Sequence, residues 1–209
     1  MLIYHLHHKL ADYDTWISKF KEGTLRKEVE DNLCITTDLV LHNVNDPNHA
    51  IVAMISGEDV TLDQMKLALD QITSDPRVQQ QFRDDSLFSE PLQTVCAFEA
   101  STLEPLSEVE RQIPAVFVDH QLADYDSWFE AWSANYDERL ETCQKLGCTP
   151  HRLLRDVEDD NHVIVVFIAE DQTAVEQLLA NPTAQETFAD KNIFTQPPKI
   201  AGCFSPIHL

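Results

Sequence analysis

The stretch LADYDTW at residues 10–16 returns as LADYDSW at residues 122–128, with only Thr15/Ser127 changed. Self-similarity at a fixed offset constrains a fold more than local propensity does, because whatever unit the first copy builds, the second builds again. The likeness reaches well beyond seven residues. His8 and His120 precede the motif at the same offset of 112. NDPNHAIVAMI at 45–55 matches EDDNHVIVVFI at 158–168 at an offset of 113, and DPRVQQQF at 75–82 matches NPTAQETF at 181–188 at an offset of 106. Matches in constant order with small drifts are the residue of a duplication followed by insertions and deletions. The drop to 106 predicts a shorter second helix in the second copy. The repeats are read as residues 1–99 and 114–209, joined by a polar linker at 100–113 bounded by Pro114.

Each copy alternates the same elements. A strand comes first, LIYHLHH or AVFVDHQ, and a helix then opens at Asp12 or Asp124, both good N-cap residues. In copy two, Tyr125, Trp128, Phe129, Trp132, Tyr136 and Leu140 keep helical spacing; in copy one, Tyr13, Trp16, Ile17 and Phe20 do so, and the pattern weakens after Gly23. A hairpin follows, DLVLHNV with AIVAMIS or HRLLRDV with VIVVFIA. A second helix carries Leu62, Met65, Leu69 and Ile72 in copy one, and a last strand near LQTVCAF or PKIAGCF closes each unit. The order βαββαβ is the ferredoxin-like split βαβ. VIVVFIA is apolar on both sides, so it needs cover on both faces. Helices supply one cover and the other copy's sheet the second. The expected class is α+β, two ferredoxin-like repeats whose antiparallel sheets pack face to face as a barrel with helices outside.

Composition excludes some partners. The chain has 36 acidic against 15 basic side chains, a formal charge of −21. Such a surface repels phosphate backbones and anionic lipid, so neither nucleic acid nor membrane is expected as a partner. The longest strongly apolar run, residues 163–169, is far short of the roughly 20 residues of a spanning helix. The N-terminal stretch lacks the basic start and continuous apolar core of a signal peptide. Five cysteines without a C-x-x-C pair read as reduced thiols in a cytoplasmic protein.

Three local patterns, H-x-L-A-D-Y-D-x-W, the D-[DP]-N-H turn before an apolar strand, and N-P-x-x-x-x-x-F, resemble the dimeric α/β-barrel superfamily, which includes antibiotic-biosynthesis-monooxygenase-like domains. The resemblance covers nearly all of both copies. It implies a barrel that relatives build from two chains, here an intramolecular pseudo-dimer. It does not imply one reaction, because the superfamily hosts oxygenases, isomerases and haem proteins. Haem-degrading members use an Asn on the first strand and a His on the second helix. Neither residue stands at those places here, so no cofactor is expected and no catalytic residue carries over.

The candidate ligand-binding residues lie on the first strands: His5, His7 and His8 in copy one, Asp119 and His120 in copy two. Polar groups on a strand covered on both sides must be hydrogen-bonded or used. Alternation puts His5 and His7 on one face with the counterparts Phe117 and Asp119, and puts His8 and His120 on the other with Leu6 and Val118. His5 and His7, with Asp119, read either as an acid–base or metal group or as strand-end residues meeting solvent; no metal is assigned. His8 and His120 read as bonding the helix start or as acid–base groups. Tyr13, Trp16, Tyr125, Trp128 and Trp132 read as core between helix and sheet, with an aromatic pocket as the alternative. His49 and His162 read as solvated turn edges, the acidic run Asp156, Glu158, Asp159 and Asp160 as a solvated hairpin, and Cys143 and Cys148 as inert. The leading expectation is a small-molecule binder with its site in or near the barrel. The alternatives are a cofactor-independent monooxygenase- or isomerase-like enzyme using a first-strand His, and a non-catalytic interaction protein.

Overall fold

The computed structural model describes residues 2–33, 35–57, 59–90 and 94–207, and within them every side chain except those of residues 24, 25, 29, 32, 33, 69, 72 and 94–96. Leu69 and Ile72 of the expected helical stripe, Leu92 and Gln93 of the expected last strand, and the thiols Cys34 and Cys96 therefore lie outside the described side chains. The first repeat runs β1 (Leu2–Lys9), α1 (Tyr13–Glu22), α2 (Thr24–Leu33), β2 (Ile35–Asn43), β3 (His49–Ser56), α3 (Leu62–Ser74), α4 (Pro76–Phe82) and β4 (Thr94–Thr102). After a short 3-10 turn at Glu110–Gln112, the second runs β5 (Ala115–Gln121), α5 (Tyr125–Ala134), α6 (Tyr136–Leu146), β6 (Cys148–Asp156), β7 (His162–Ala169), α7 (Thr173–Leu179), α8 (Pro182–Phe188) and β8 (Lys199–Ile207). The strands follow the order β1-β3-β2-β8-β5-β7-β6-β4 and close into an antiparallel barrel.

Each expected helix is two helices. Gly23 ends α1, where the apolar pattern weakens, and Asn135 ends α5, although there the apolar spacing runs on from Trp132 to Tyr136. The second helices break before proline, which has no N–H to donate and disfavours helical backbone in the residue ahead of it. Asp75 and Asn181 fill that preceding position and cap α4 and α8, accepting from Arg77 N at 2.7 Å and Thr183 N at 3.0 Å. The deletion inferred from the offset falls in this region: α3 has 13 residues and α7 has 7.

By contacts the chain forms two compact units, one to Ala97 with Ile207 and one spanning Phe98–Pro206. In the second unit β5 lies between β7 and β8, and β6 pairs with β7 on one side and with residues 98–102 of β4 on the other. The core there gathers Val116 and Val118 from β5, Trp128 and Trp132 from α5, Val163, Val165 and Phe167 from β7, and Phe194. Each such side chain, fully buried, contributes about 1.5–3 kcal/mol relative to exposure. These contacts fix the parity of the first strand: Val116, Val118 and His120 face the helices, while Phe117 and Asp119 face away.

The duplicated motif is a junction. Leu10 N donates to Asn48 O at 2.7 Å and Ala11 N to Leu87 O at 3.0 Å; Leu122 N donates to Asn161 O at 2.8 Å and Ala123 N to Ile193 O at 2.9 Å. The end of the first strand is thereby tied to the hairpin turn and to the segment after the fourth helix. Asp12 and Asp124 then cap the next helix, each accepting a backbone N–H three residues on at 2.8 Å. Among the described residues no helix is long and apolar enough to cross a membrane.

Candidate functional site

His120 is 4% exposed and sits on the helix-covered face of β5. Its Nδ1 donates to Val118 O at 3.0 Å, which leaves Nε2 as an acceptor. The expected bond to the helix start is not made. The ring lies against Trp128 and Phe194, with centroids 5.7 and 6.1 Å away. Desolvation in this apolar setting pulls its pKa down to about 4 despite the Val118 carbonyl. At neutral pH His120 is therefore an uncharged imidazole.

It lines a cavity of about 490 Å³ between the sheet and helices α5–α8. Trp128, Trp132, Phe167, Leu178, Phe188 and Phe194 supply apolar walls. The buried Trp132 Nε1 has no hydrogen-bond partner there. Arg139, from the first turn of α6, also lines the cavity. Its guanidinium stacks 4.1 Å over the Trp132 ring, and Nη1 donates to Trp132 O. Burial lowers the Arg139 pKa, though an arginine stays protonated at any physiological pH. An apolar cleft of this size with a few convergent polar groups is the usual form of a small-molecule site.

The first repeat has a counterpart of about 150 Å³. His8, 5% exposed, lines it among Trp16, Phe82 and Phe88, with ring centroids 5.4–6.0 Å away. Its Nδ1 is buried without a hydrogen-bond partner, and desolvation pulls its pKa down to about 3. Trp16, Trp128 and Trp132 are thus core residues and cavity walls at once.

The opposite face of the first strand carries a second duplicated arrangement. In the first repeat His49 Nε2 meets His7 Nδ1 at 3.2 Å, and its Nδ1 meets Asn43 Nδ2 at 3.2 Å. With the Asn43 amide donating, His49 keeps its proton on Nε2 and donates to His7. Desolvation and the neighbouring His49 hold His7 down to about 4. In the second repeat His162 Nε2 lies 3.3 Å from Asp119 Oδ1, and Nδ1 lies 2.9 Å from Asp156 Oδ2. The Asp119 contact is an ion pair, not an aligned hydrogen bond, since Oδ1 lacks a partner of good geometry. Asp119, then Asp156, raise the His162 pKa to about 9, so this imidazole is a cation. Asp119 also faces Lys199 at 3.5 Å. His162, expected at a solvated turn, instead bridges two strands. His5 is buried, with its ring 6.4 Å from that of His7. Among the described residues no group of three or more His, Cys, Asp or Glu could hold a metal ion.

The structure thus separates the five candidates. His8 and His120 line the helix-side cavities; His5, His7 and Asp119 face the other way. Sequence reasoning missed Arg139 and its counterpart Arg26, although their offset of 113 is the repeat's own. Asp156 bonds His162, Asp159 Oδ1 accepts from Asn161 N at 3.1 Å and Asp160 pairs with Arg155, so the acidic run builds its own hairpin. Cys143 and Cys148 are buried free thiols, and a bond with Cys148 together with burial pushes the Cys143 thiol up.

No protein-family model matches the chain, and no curated protein matches it in sequence. Solved structures do. A candidate monooxygenase from Fusobacterium nucleatum aligns over 99% of this chain and 92% of its own, with a TM-score of 0.54 at 9% identity. An anthrone oxidase-like protein aligns over 99% and 91%, with a TM-score of 0.53 at 13% identity. A mutant chlorite dismutase from Candidatus Nitrospira defluvii aligns over 98% and 91%, with a TM-score of 0.54 at 13% identity. At these identities the likeness is one of fold: the chain has the dimeric α/β-barrel fold, with both halves on one polypeptide.

Proposed function

We propose that the chain binds a small, largely aromatic molecule in the cavity of the second repeat. The observation that carries this reading is the pairing of aromatic walls with His120. Its Nδ1 proton is committed to Val118 O, so Nε2 is left to accept a hydrogen bond from a ligand hydroxyl or N–H. Trp132, whose ring lines the same cavity, adds a buried Nε1–H that has no partner. A ligand that satisfies both groups removes the cost of leaving buried polar atoms unpaired.

An oxygenase or isomerase reading would use His120 as the base that takes a proton from the ligand. The names of two structural neighbours agree with it. The environment of His120 favours binding instead, because a pKa near 4 lies well below the near-neutral value that suits a general base.

Trp128 and Trp132 line the cavity, so their emission reports on it. Titration with 2-naphthol is expected to quench tryptophan fluorescence saturably, and His120→Leu to weaken that binding about tenfold, the cost of one lost buried hydrogen bond. Absence of saturable quenching up to about 1 mM ligand, or equal affinity in the variant, would overturn the reading.

A further inference from the structure

We infer that Arg139 makes the second-repeat cavity selective for an aromatic ligand bearing an anionic group, such as an arene carboxylate, and that the first repeat has cancelled the equivalent preference. The inference rests on the cavity of the second repeat being a ligand site and goes on to name the chemistry of its ligand.

The two repeats hold the same cation on the same platform. Arg26 lies 5.1 Å over Phe20, and Arg139 lies 4.1 Å over Trp132. An offset of 113 equates Arg26 with Arg139 and one of 112 equates Phe20 with Trp132, both offsets found in the matched segments of the repeat. The difference lies one helical turn further on. In the first repeat Glu30 Oε1 stands 3.7 Å from Arg26 Nη1 and neutralises it. The position equivalent to Glu30 in the second repeat is Cys143, whose thiol is held protonated by Cys148 and by burial. Among the described residues no carboxylate comes within ion-pair distance of Arg139. Glu138, beside it in sequence and also at the cavity, is exposed and makes no such pair.

In a chain with 36 carboxylates to 15 basic side chains, a half-buried arginine without an anionic partner is uncommon. Its stacking on Trp132 and its bond to Trp132 O fix the guanidinium at the cavity and use only part of its five donors. The rest form a planar fork suited to a carboxylate. The other titratable groups around it, Tyr136 and the Cys143 thiol, are uncharged at neutral pH, and so is His120 across the cavity. A ligand carboxylate there meets a cation that no carboxylate among the described residues already pairs, with Glu138 the one carboxylate in the cavity lining.

The test uses two ligands of one shape, 2-naphthoate and 2-naphthamide, and the full-length protein. The carboxylate is expected to bind about tenfold more tightly than the amide, the scale of one charge-assisted hydrogen-bonded pair in a partly buried site. Arg139→Gln is expected to bring the ratio to about 1 by weakening 2-naphthoate alone. A merely structural role for Arg139 would weaken both ligands together and overturn the inference. Cys143→Glu, which writes the first repeat's carboxylate beside Arg139, is expected to abolish the preference in the same way; an unchanged ratio in that folded variant would overturn the comparison between repeats. Equal binding of both ligands to the unaltered protein would overturn the anion preference and leave the cavity reading standing. Failure of both ligands to bind would overturn both.

Discussion

Acidification separates buried neutral histidines from surface groups. His8 and His120 have pKa values pulled down to about 3 and about 4 in the folded chain. Unfolding returns both to about 6.5. Below pH 6.5 the unfolded chain therefore takes up protons that the folded chain refuses. A base with a depressed folded pKa loses stability on the acid side: the loss begins near the unfolded pKa and ends once the pH passes the folded one. Between pH 6.5 and 5 each histidine costs about 1.6 kcal/mol, or about 3 kcal/mol for the pair. That is a large share of the roughly 5–15 kcal/mol that stabilises an ordinary domain. The assay is urea unfolding in half-unit steps across that range, on the unaltered chain, on His8→Leu and His120→Leu, and on the double variant. Each single variant is expected to recover about half of the pair's loss, and the double variant to keep the slope of His7, which at about 4 costs as much as His120, together with that of His49, whose pKa is also lowered. The comparison concerns slopes, so a constant change in packing from leucine drops out. If the double variant falls with pH as steeply as the unaltered chain, the assignment of buried neutral imidazoles is refuted.

On the alkaline side the sign reverses. His162, raised to about 9, contributes stability that is complete below pH 6.5 and lost as the pH rises through 9; with its ring one-fifth exposed, the screened contribution is about 1–2 kcal/mol. Asp119→Asn is expected to move the NMR titration midpoint of the His162 ring below 9, and an unmoved midpoint would show that Asp156 alone holds the proton. Gly147 closes α6 at a φ of +82° with open space where a Cβ would stand, so Gly147→Ala is expected to cost about 1 kcal/mol in thermal unfolding through backbone strain alone. Asp124→Ala removes the cap of α5 and is expected to cost about 1 kcal/mol, without changing 2-naphthol binding.

The fold was largely legible because its signals are local and written twice. Asp12 and Asp124 announce helix starts wherever they occur, and the order of matched segments gives the order of elements. The helix breaks were hidden because Trp132 and Tyr136 keep a spacing of four across Asn135, so the apolar stripe runs on while the backbone turns. The parity of the first strand could not be read, since Leu6 and Val118 on one face are matched in apolarity by Ile3 and Phe117 on the other; only the packed helices decide it. His49 and His162 looked like turn residues because their partners are fixed by register. His49 stands opposite Lys9 across the β1–β3 pair, and this brings it diagonally to His7, a relation absent from either segment alone. Arg26 and Arg139 carry no signal of their own in the sequence, because an arginine on a polar helix reads as solvated. Their aromatic platforms lie six and seven residues earlier, on a separate helix in each case.

The pairing of β4 with β6 carries a practical consequence for anyone dividing the gene. Residues 98–102 hydrogen-bond to residues 152–156, so the last strand written for the first copy completes the sheet of the second unit. An expression fragment begun at Pro114, where the second copy starts in sequence, would leave that stretch of β6 as a bare edge with unanswered backbone donors and acceptors, an invitation to aggregate. One begun at Phe98 would carry its own cover. The repeat read from the sequence and the compact unit are thus offset by part of one strand, and the cleaner cut lies upstream of the apparent seam.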